Sequence, residues 1–178
     1  MHPRIRELLD HLRISHQALS AAVESVPAAR RGERPAPGRW SVTEVLQHLT
    51  IVNHRIAANI SNRAAMARSN GAGPDDDSTP VLPTFDVAGV ADRSTKVVAP
   101  PTLEPQEVLN EAAARDRLEV SHQALREAVR ASDGVDLGRL TTRHPLFGEM
   151  NLYHWIAFAG AHEVRHAAQI VEVRSALR

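Results

Sequence analysis

Near its C-terminal end the chain reads His162-Glu163-Val164-Arg165-His166. Four residues advance an α-helix by a little more than one turn, so two imidazoles at this spacing stand one above the other on the same side. Such a pair is a bidentate clamp for a divalent metal, and with Glu after the first His it spells the zinc-peptidase signature. In those enzymes the third ligand lies downstream, as a His six residues past the second His or as a Glu on a later helix. Here only Ala167 to Arg178 remain, position 172 is Glu172 and position 169 is Gln169. Glu172 shares the helix of His166 and, six residues on, faces a different side. The peptidase reading fails on geometry, and the third ligand must come from upstream.

Among the upstream histidines, His48 is the best candidate, because it borders an apolar stripe near Val45 and Val52. His54 falls opposite that stripe, and His154 lies off the inward side of its own segment. His122 points inward beside Leu118 and Leu125, as a hydrogen-bonded core residue or as a fourth neighbour of the site. His2, His11, His16 and His144 carry no signal. A rival metal pattern is present: Glu119-x-x-His122 and Glu163-x-x-His166 match the spacing of di-metal carboxylate bundles. Those bundles also need an inward Glu from each of the other two helices. Here the second segment offers only Glu44, engaged as a cap, and the first offers Glu7 and Glu24 at its ends. One metal on three histidines, His48, His162 and His166, fits better. Glu163 is either a general base or orienting group beside that metal, or half of an interhelical ion pair. Arg165 and Gln169 are candidates to touch a substrate, and Trp40 to pack its loop onto the helices.

Four segments with helical periodicity must position these groups. The first carries Ile5, Leu8, Leu9, Leu12, Leu19, Val23 and Val26 and stops before Pro27. The second opens on a capping box, Ser41-Val42-Thr43-Glu44, and continues through Leu46, Leu49, Ile56 and Ile60 to about Arg68. The third is expected from roughly Pro105 to Ala131, with Val108 on its apolar face, and the fourth from near Glu149 onward. The pattern predicts an all-α protein, a four-helix bundle in a single domain spanning residues 1–178. Residues 69–104 are far too many for a tight helical hairpin. A long crossover between helices 2 and 3 lets these run parallel, giving up-down-down-up topology. Ser15-His16-Gln17-Ala18-Leu19 recurs as Ser121-His122-Gln123-Ala124-Leu125, so the two halves read as related helix pairs. Ile51 and Phe158, outside the main stripes, are expected on a surface that could serve a homodimer.

Composition removes several classes of function. With no cysteine there is no disulfide, no thiolate nucleophile and no Cys-ligated zinc. Formal net charge is zero and aromatics are 3%, which gives neither the electrostatic footprint nor the stacking platforms of a nucleic-acid binder. No stretch is apolar enough to span a membrane, and a cytoplasmic location is expected.

Two stretches carry a family resemblance. Trp40-Ser41-Val42-Thr43-Glu44-Val45-Leu46-Gln47-His48-Leu49 and His162-Glu163-Val164-Arg165-His166-Ala167-Ala168-Gln169 resemble, in order, the W-S-x-x-E-x-x-x-H-L and H-x-x-x-H-x-x-Q motifs of the DinB/YfiT-like superfamily of bacterial metalloenzymes. The resemblance implies an up-down-down-up bundle holding Zn²⁺ or Ni²⁺ on His48, His162 and His166. It also implies chemistry of the kind known in parts of that superfamily: transfer of a low-molecular-weight thiol to a small-molecule substrate. Two alternatives stay open, a hydrolase using metal-bound water with Glu163 as base, and a non-catalytic dimeric metal-binding bundle.

Overall fold

The computed structural model describes residues 1–177. Helix α1 runs Pro3–Glu24, α2 Val42–Ser69, a short α3 Val87–Ala91, α4 Glu111–Ala131 and α5 Leu152–Ala176; a hairpin of β1 Thr141–His144 and β2 Gly148–Asn151 precedes α5. The four long helices form the bundle. Each begins where a side chain satisfies a free amide of the first turn. The capping box of α2 is formed: Ser41 Oγ accepts from the Glu44 amide at 3.2 Å, and Glu44 Oε2 accepts from the Ser41 amide at 2.8 Å. Asn110 caps α4 through the Ala113 amide, and Asn151 caps α5 through that of His154, both at 2.9 Å.

Polar contacts fix the directions. Arg68, at the end of α2, donates to the carbonyls of Ala131 and Asp133, at the end of α4, so these two helices run parallel. Arg115, early in α4, pairs with Glu24 at the end of α1, so α1 and α4 are antiparallel. His11 meets Ala157 and His16 meets Glu163, which makes α1 and α5 parallel. The topology is up-down-down-up, with α1 packed chiefly on α5 and α2 on α4. Gly160 permits the close approach of α1 and α5, since a Cβ there would stand 2.4 Å from the His11 ring.

Two element boundaries differ from expectation. Helix α4 starts at Glu111 rather than near Pro105, because Asn110 supplies the cap; Val108 lies outside the helix and is fully exposed. Residues 141–151, whose end was expected to open the fourth helix at Glu149, instead form the antiparallel hairpin pairing Thr141 with Asn151 and His144 with Gly148. Gly148 takes a φ of 70°, the left-handed conformation that closes a three-residue turn. Strands of four residues are too short to show a period of two.

The crossover between α2 and α4 is built against the bundle. The Glu7 carboxylate accepts from the amides of Val81 and Leu82, Arg4 pairs with Asp75, and Tyr153 donates to Asp75 at 2.9 Å. Val81 and Val90 are buried, and α3 packs on α5. Inside the bundle the apolar core falls into two halves. One contains Leu8, Leu12, Ile56, Ile60, Leu125 and Ile156; the other contains Leu19, Val23, Leu46, Leu49, Leu118 and Ile170. Buried polar side chains, among them Ser15, Asn53, Ser121, His122 and Glu163, occupy the level between them.

Candidate metal centre

His48 comes from the second turn of α2, and His162 and His166 from successive turns of α5. His48 and His166 are buried and His162 is partly exposed. The Nε2 atom of His162 lies 3.4 Å from Nε2 of His48 and 3.1 Å from Nε2 of His166. One ring nitrogen from each of the three lies within 4.8 Å of the others. Two of the rings have their other nitrogen engaged. Nδ1 of His48 donates to the Leu103 carbonyl at 2.8 Å, and Nδ1 of His166 donates to Gln169 Oε1 at 2.7 Å. With Nδ1 protonated, each of these neutral rings presents an Nε2 lone pair to the centre. His162 has one proton at most to share between them, so the cluster holds more lone pairs than donors. A cation resolves that mismatch. Bonds of 2.0–2.1 Å in a tetrahedral zinc site imply N···N edges of about 3.3–3.4 Å, close to the spacing found.

Burial works in the same direction. Desolvation holds the pKa of His48 below the ordinary imidazole value, against the opposing bond to Leu103. His162 is pushed well below it by desolvation and then by its neighbours His166 and His48. His166 is also well below, through desolvation and then His48. Neutral imidazole is the ligating form. Aromatic rings line the flanks: Trp40 lies 5.1 Å from the His48 ring and Phe158 stacks on His162 at 5.2 Å between centroids. Phe158, expected on an outer face, is buried among His144, Phe147 and Trp155, because the hairpin covers it. Ile51 remains half-exposed on α2.

Glu163 is not with these three histidines. One residue past His162, it turns about 100° away around α5, and its carboxylate meets Asn53 Nδ2 at 3.2 Å, His122 Nδ1 at 3.3 Å and His16 Nδ1 at 3.4 Å. The expectation of a base beside the metal therefore meets a carboxylate facing the opposite cluster, and its partners are histidines rather than an arginine. Burial pushes the Glu163 pKa up, but the nearby imidazoles of His122 and His16 outweigh it and hold the group at about 2. His122 is the hydrogen-bonded core residue expected, and His54 is exposed. His154 is half-buried and reaches Thr84 Oγ1 at 3.1 Å. Arg165, expected near a substrate, donates to the carbonyls of Val90, Asp92 and Thr95 and fastens the crossover to α5. Three contributors escaped the sequence reading. The Leu103 carbonyl has no side-chain signal, Gln169 was read as a possible substrate contact, and His16 was marked only by the repeated Ser-His-Gln-Ala-Leu.

The arrangement defines a class: a four-helix bundle with three histidines converging between its second and last long helices. The profile of the DinB superfamily matches residues 11–170, and the chain belongs to that superfamily. It is 28% identical over 143 residues to the uncharacterized protein YuaE of Bacillus subtilis (strain 168), covering 80% of this chain and 82% of that protein. Among solved structures it is similar to TT2238, described as a four-helix bundle protein, with a TM-score of 0.63 and 20% identity across 94% of this chain and 98% of that one. That likeness supports the fold. Among the described residues, no helix is long and apolar enough to cross a membrane.

Proposed function

We propose that this chain is a divalent-metal-dependent enzyme, with His48, His162 and His166 as the protein ligands, that transfers a low-molecular-weight thiol to a small electrophilic substrate. The observation that carries the reading is the convergence of three imidazoles whose lone pairs outnumber the protons available to them. An all-imidazole donor set suits Zn²⁺ or Ni²⁺. Three protein ligands leave a position open, and an ion held there supplies Lewis acidity sufficient to deprotonate a coordinated thiol at neutral pH. The chain's own residues do the rest. Leu103 and Gln169 orient two of the rings, Trp40 and Phe158 wall the site with apolar surface, and the partly exposed His162 marks its open side.

The position of Glu163 favours the thiol route over hydrolysis. Its carboxylate is engaged with His16, His122 and Asn53, so hydrolysis would lack the base first assigned to it. A thiol acidified by the ion needs no such base. The chain contains no cysteine, so the thiol is a cosubstrate from solution. The test is turnover of an aryl halide or epoxide by Zn²⁺- or Ni²⁺-loaded protein with glutathione, bacillithiol or mycothiol. Consumption that requires both metal and thiol and disappears in His162→Ala is expected. Turnover indifferent to the thiol and to His162 would contradict the assignment.

A further inference from the structure

The level between the two apolar halves of the core contains a second convergence of metal-ligating side chains, on the far side of α5 from the first. Glu163 from α5 is 1% exposed and His122 from α4 is 2% exposed. His16 from α1 completes the group, its side chain 15% exposed. The rings of His16 and His122 stack 3.9 Å apart, and both present Nδ1 to the one carboxylate, His122 to Oε1 at 3.3 Å and His16 to Oε2 at 3.4 Å. The two histidines occupy equivalent places in the repeated Ser-His-Gln-Ala-Leu, so the internal repeat puts one on each side of Glu163.

One contact in this group is not a hydrogen bond while the His16 ring is neutral. His16 Nε2 reaches Glu119 Oε2 at 3.1 Å, which places a proton on Nε2 and leaves Nδ1 with a lone pair in the neutral ring. That Nδ1 stands opposite Glu163 Oε2, and among the described residues both buried atoms lack a hydrogen-bond partner. A lone pair facing an oxygen of a carboxylate in a dry interior is costly without positive charge between them. The 3.4 Å between His16 Nδ1 and Glu163 Oε2 matches the ligand–ligand edge of about 3.3–3.4 Å that follows from zinc bonds of 2.0–2.1 Å, and one ligating atom from each of the three residues lies within 4.8 Å of the others. Asn53 donates to Oε1 at 3.2 Å and orients the carboxylate, as an outer partner does in a metal site.

We propose that His16, His122 and Glu163 form a second divalent-metal site, of the two-nitrogen, one-oxygen type that takes Zn²⁺ or a similar borderline cation. Such an ion would link α1, α4 and α5 at the polar level between the two apolar halves of the core. Its role is to hold the helices together, and its route from solvent is past His16. The site goes beyond the proposed thiol transfer and does not depend on it.

Equilibrium dialysis of tag-free apoprotein against Co²⁺, read by metal content and visible absorption, tests the assignment. Circular dichroism confirms that each variant is folded. The expected stoichiometry is two in the wild type, one in His48→Ala/His162→Ala, one in His16→Gln and none in the triple variant. His16→Gln, at the partly exposed edge of the group, keeps polarity and is the substitution least able to disturb the core. Absence of Co²⁺ from a folded His48→Ala/His162→Ala protein, or unchanged stoichiometry in His16→Gln, overturns the proposal. One equivalent that survives His48→Ala/His162→Ala and vanishes in His16→Gln would uphold this site and remove the three-histidine one.

Discussion

Gln169 Oε1 lies 2.7 Å from Nδ1 of His166, less than one helical turn away on α5, and this contact decides which nitrogen of His166 faces the centre. Removing the acceptor frees the ring to rotate and to change tautomer. Gln169→Ala should weaken Zn²⁺ binding by about 10- to 100-fold, the usual effect of losing an outer partner. Gln169 is partly exposed, so the helix should be undisturbed. Gln169→Glu, which retains the acceptor, should recover most of the affinity in a competition titration with a chromophoric chelator.

The depressed pKa values of His48, His162 and His166 make the metal-free fold sensitive to acid in a definite direction. Below the free-imidazole value near 6.5, the unfolded chain takes up protons that these buried rings refuse, so stability falls as pH falls. Above that value neither state binds them and the contribution is absent. His16, whose pKa is raised against its own desolvation by Glu163 and Glu119, acts with the opposite sign. Its stabilisation is present below 6.5 and is lost as pH rises through its folded value. Comparing urea midpoints of apo wild type and apo His48→Ala/His162→Ala between pH 7.5 and 5.5 isolates the first effect. The wild type should lose more stability over that interval.

Arg165 connects the crossover to α5, the helix of His162 and His166, through three backbone carbonyls, those of Val90, Asp92 and Thr95. The same crossover supplies the Leu103 carbonyl that orients His48. Arg165→Ala should leave the helical content unchanged. It should accelerate amide hydrogen exchange across residues 90–103, with a smaller loss of metal affinity than Gln169→Ala, because Leu103 is only indirectly held.

The capping box ahead of His48 is a local device whose loss should be felt in stability. Ser41→Ala removes the acceptor for the Glu44 amide and should cost about 1 kcal/mol, measured by urea unfolding. His48 lies beyond the first turn, so the metal stoichiometry should not change.

Much of this fold was legible because its signals are local and periodic. The stripe through Val45, Leu49, Val52 and Ile56 and the Ser41–Glu44 box located α2, and the length of the 69–104 segment carried the parallel arrangement of α2 and α4. The three histidines were legible for a related reason: His162 and His166 are one turn apart on one helix, and His48 sits at a readable distance from its cap. The misses have physical causes. Strands of four residues on either side of Pro145-Leu146-Phe147 leave no measurable alternation, and Asn110 outweighed the apolar Val108 in setting the start of α4. Glu163 stayed open between a base beside the histidines and an interhelical partner because spacing along one helix says nothing of what neighbouring helices present; its partners His16 and His122 lie 147 and 41 residues away in sequence. Phe158 was read as outward because the hairpin that covers it was not foreseen.

The point on which the Nε2 atoms of His48, His162 and His166 converge is directly located by an anomalous-scattering map. Crystals of tag-free protein grown with one to two equivalents of Zn²⁺, measured on both sides of the zinc edge, should show a peak about 2.0–2.1 Å from Nε2 of His48, His162 and His166. The peak should vanish in His162→Ala crystals. A map from zinc-treated wild-type crystals with no peak among these three nitrogens would contradict the account.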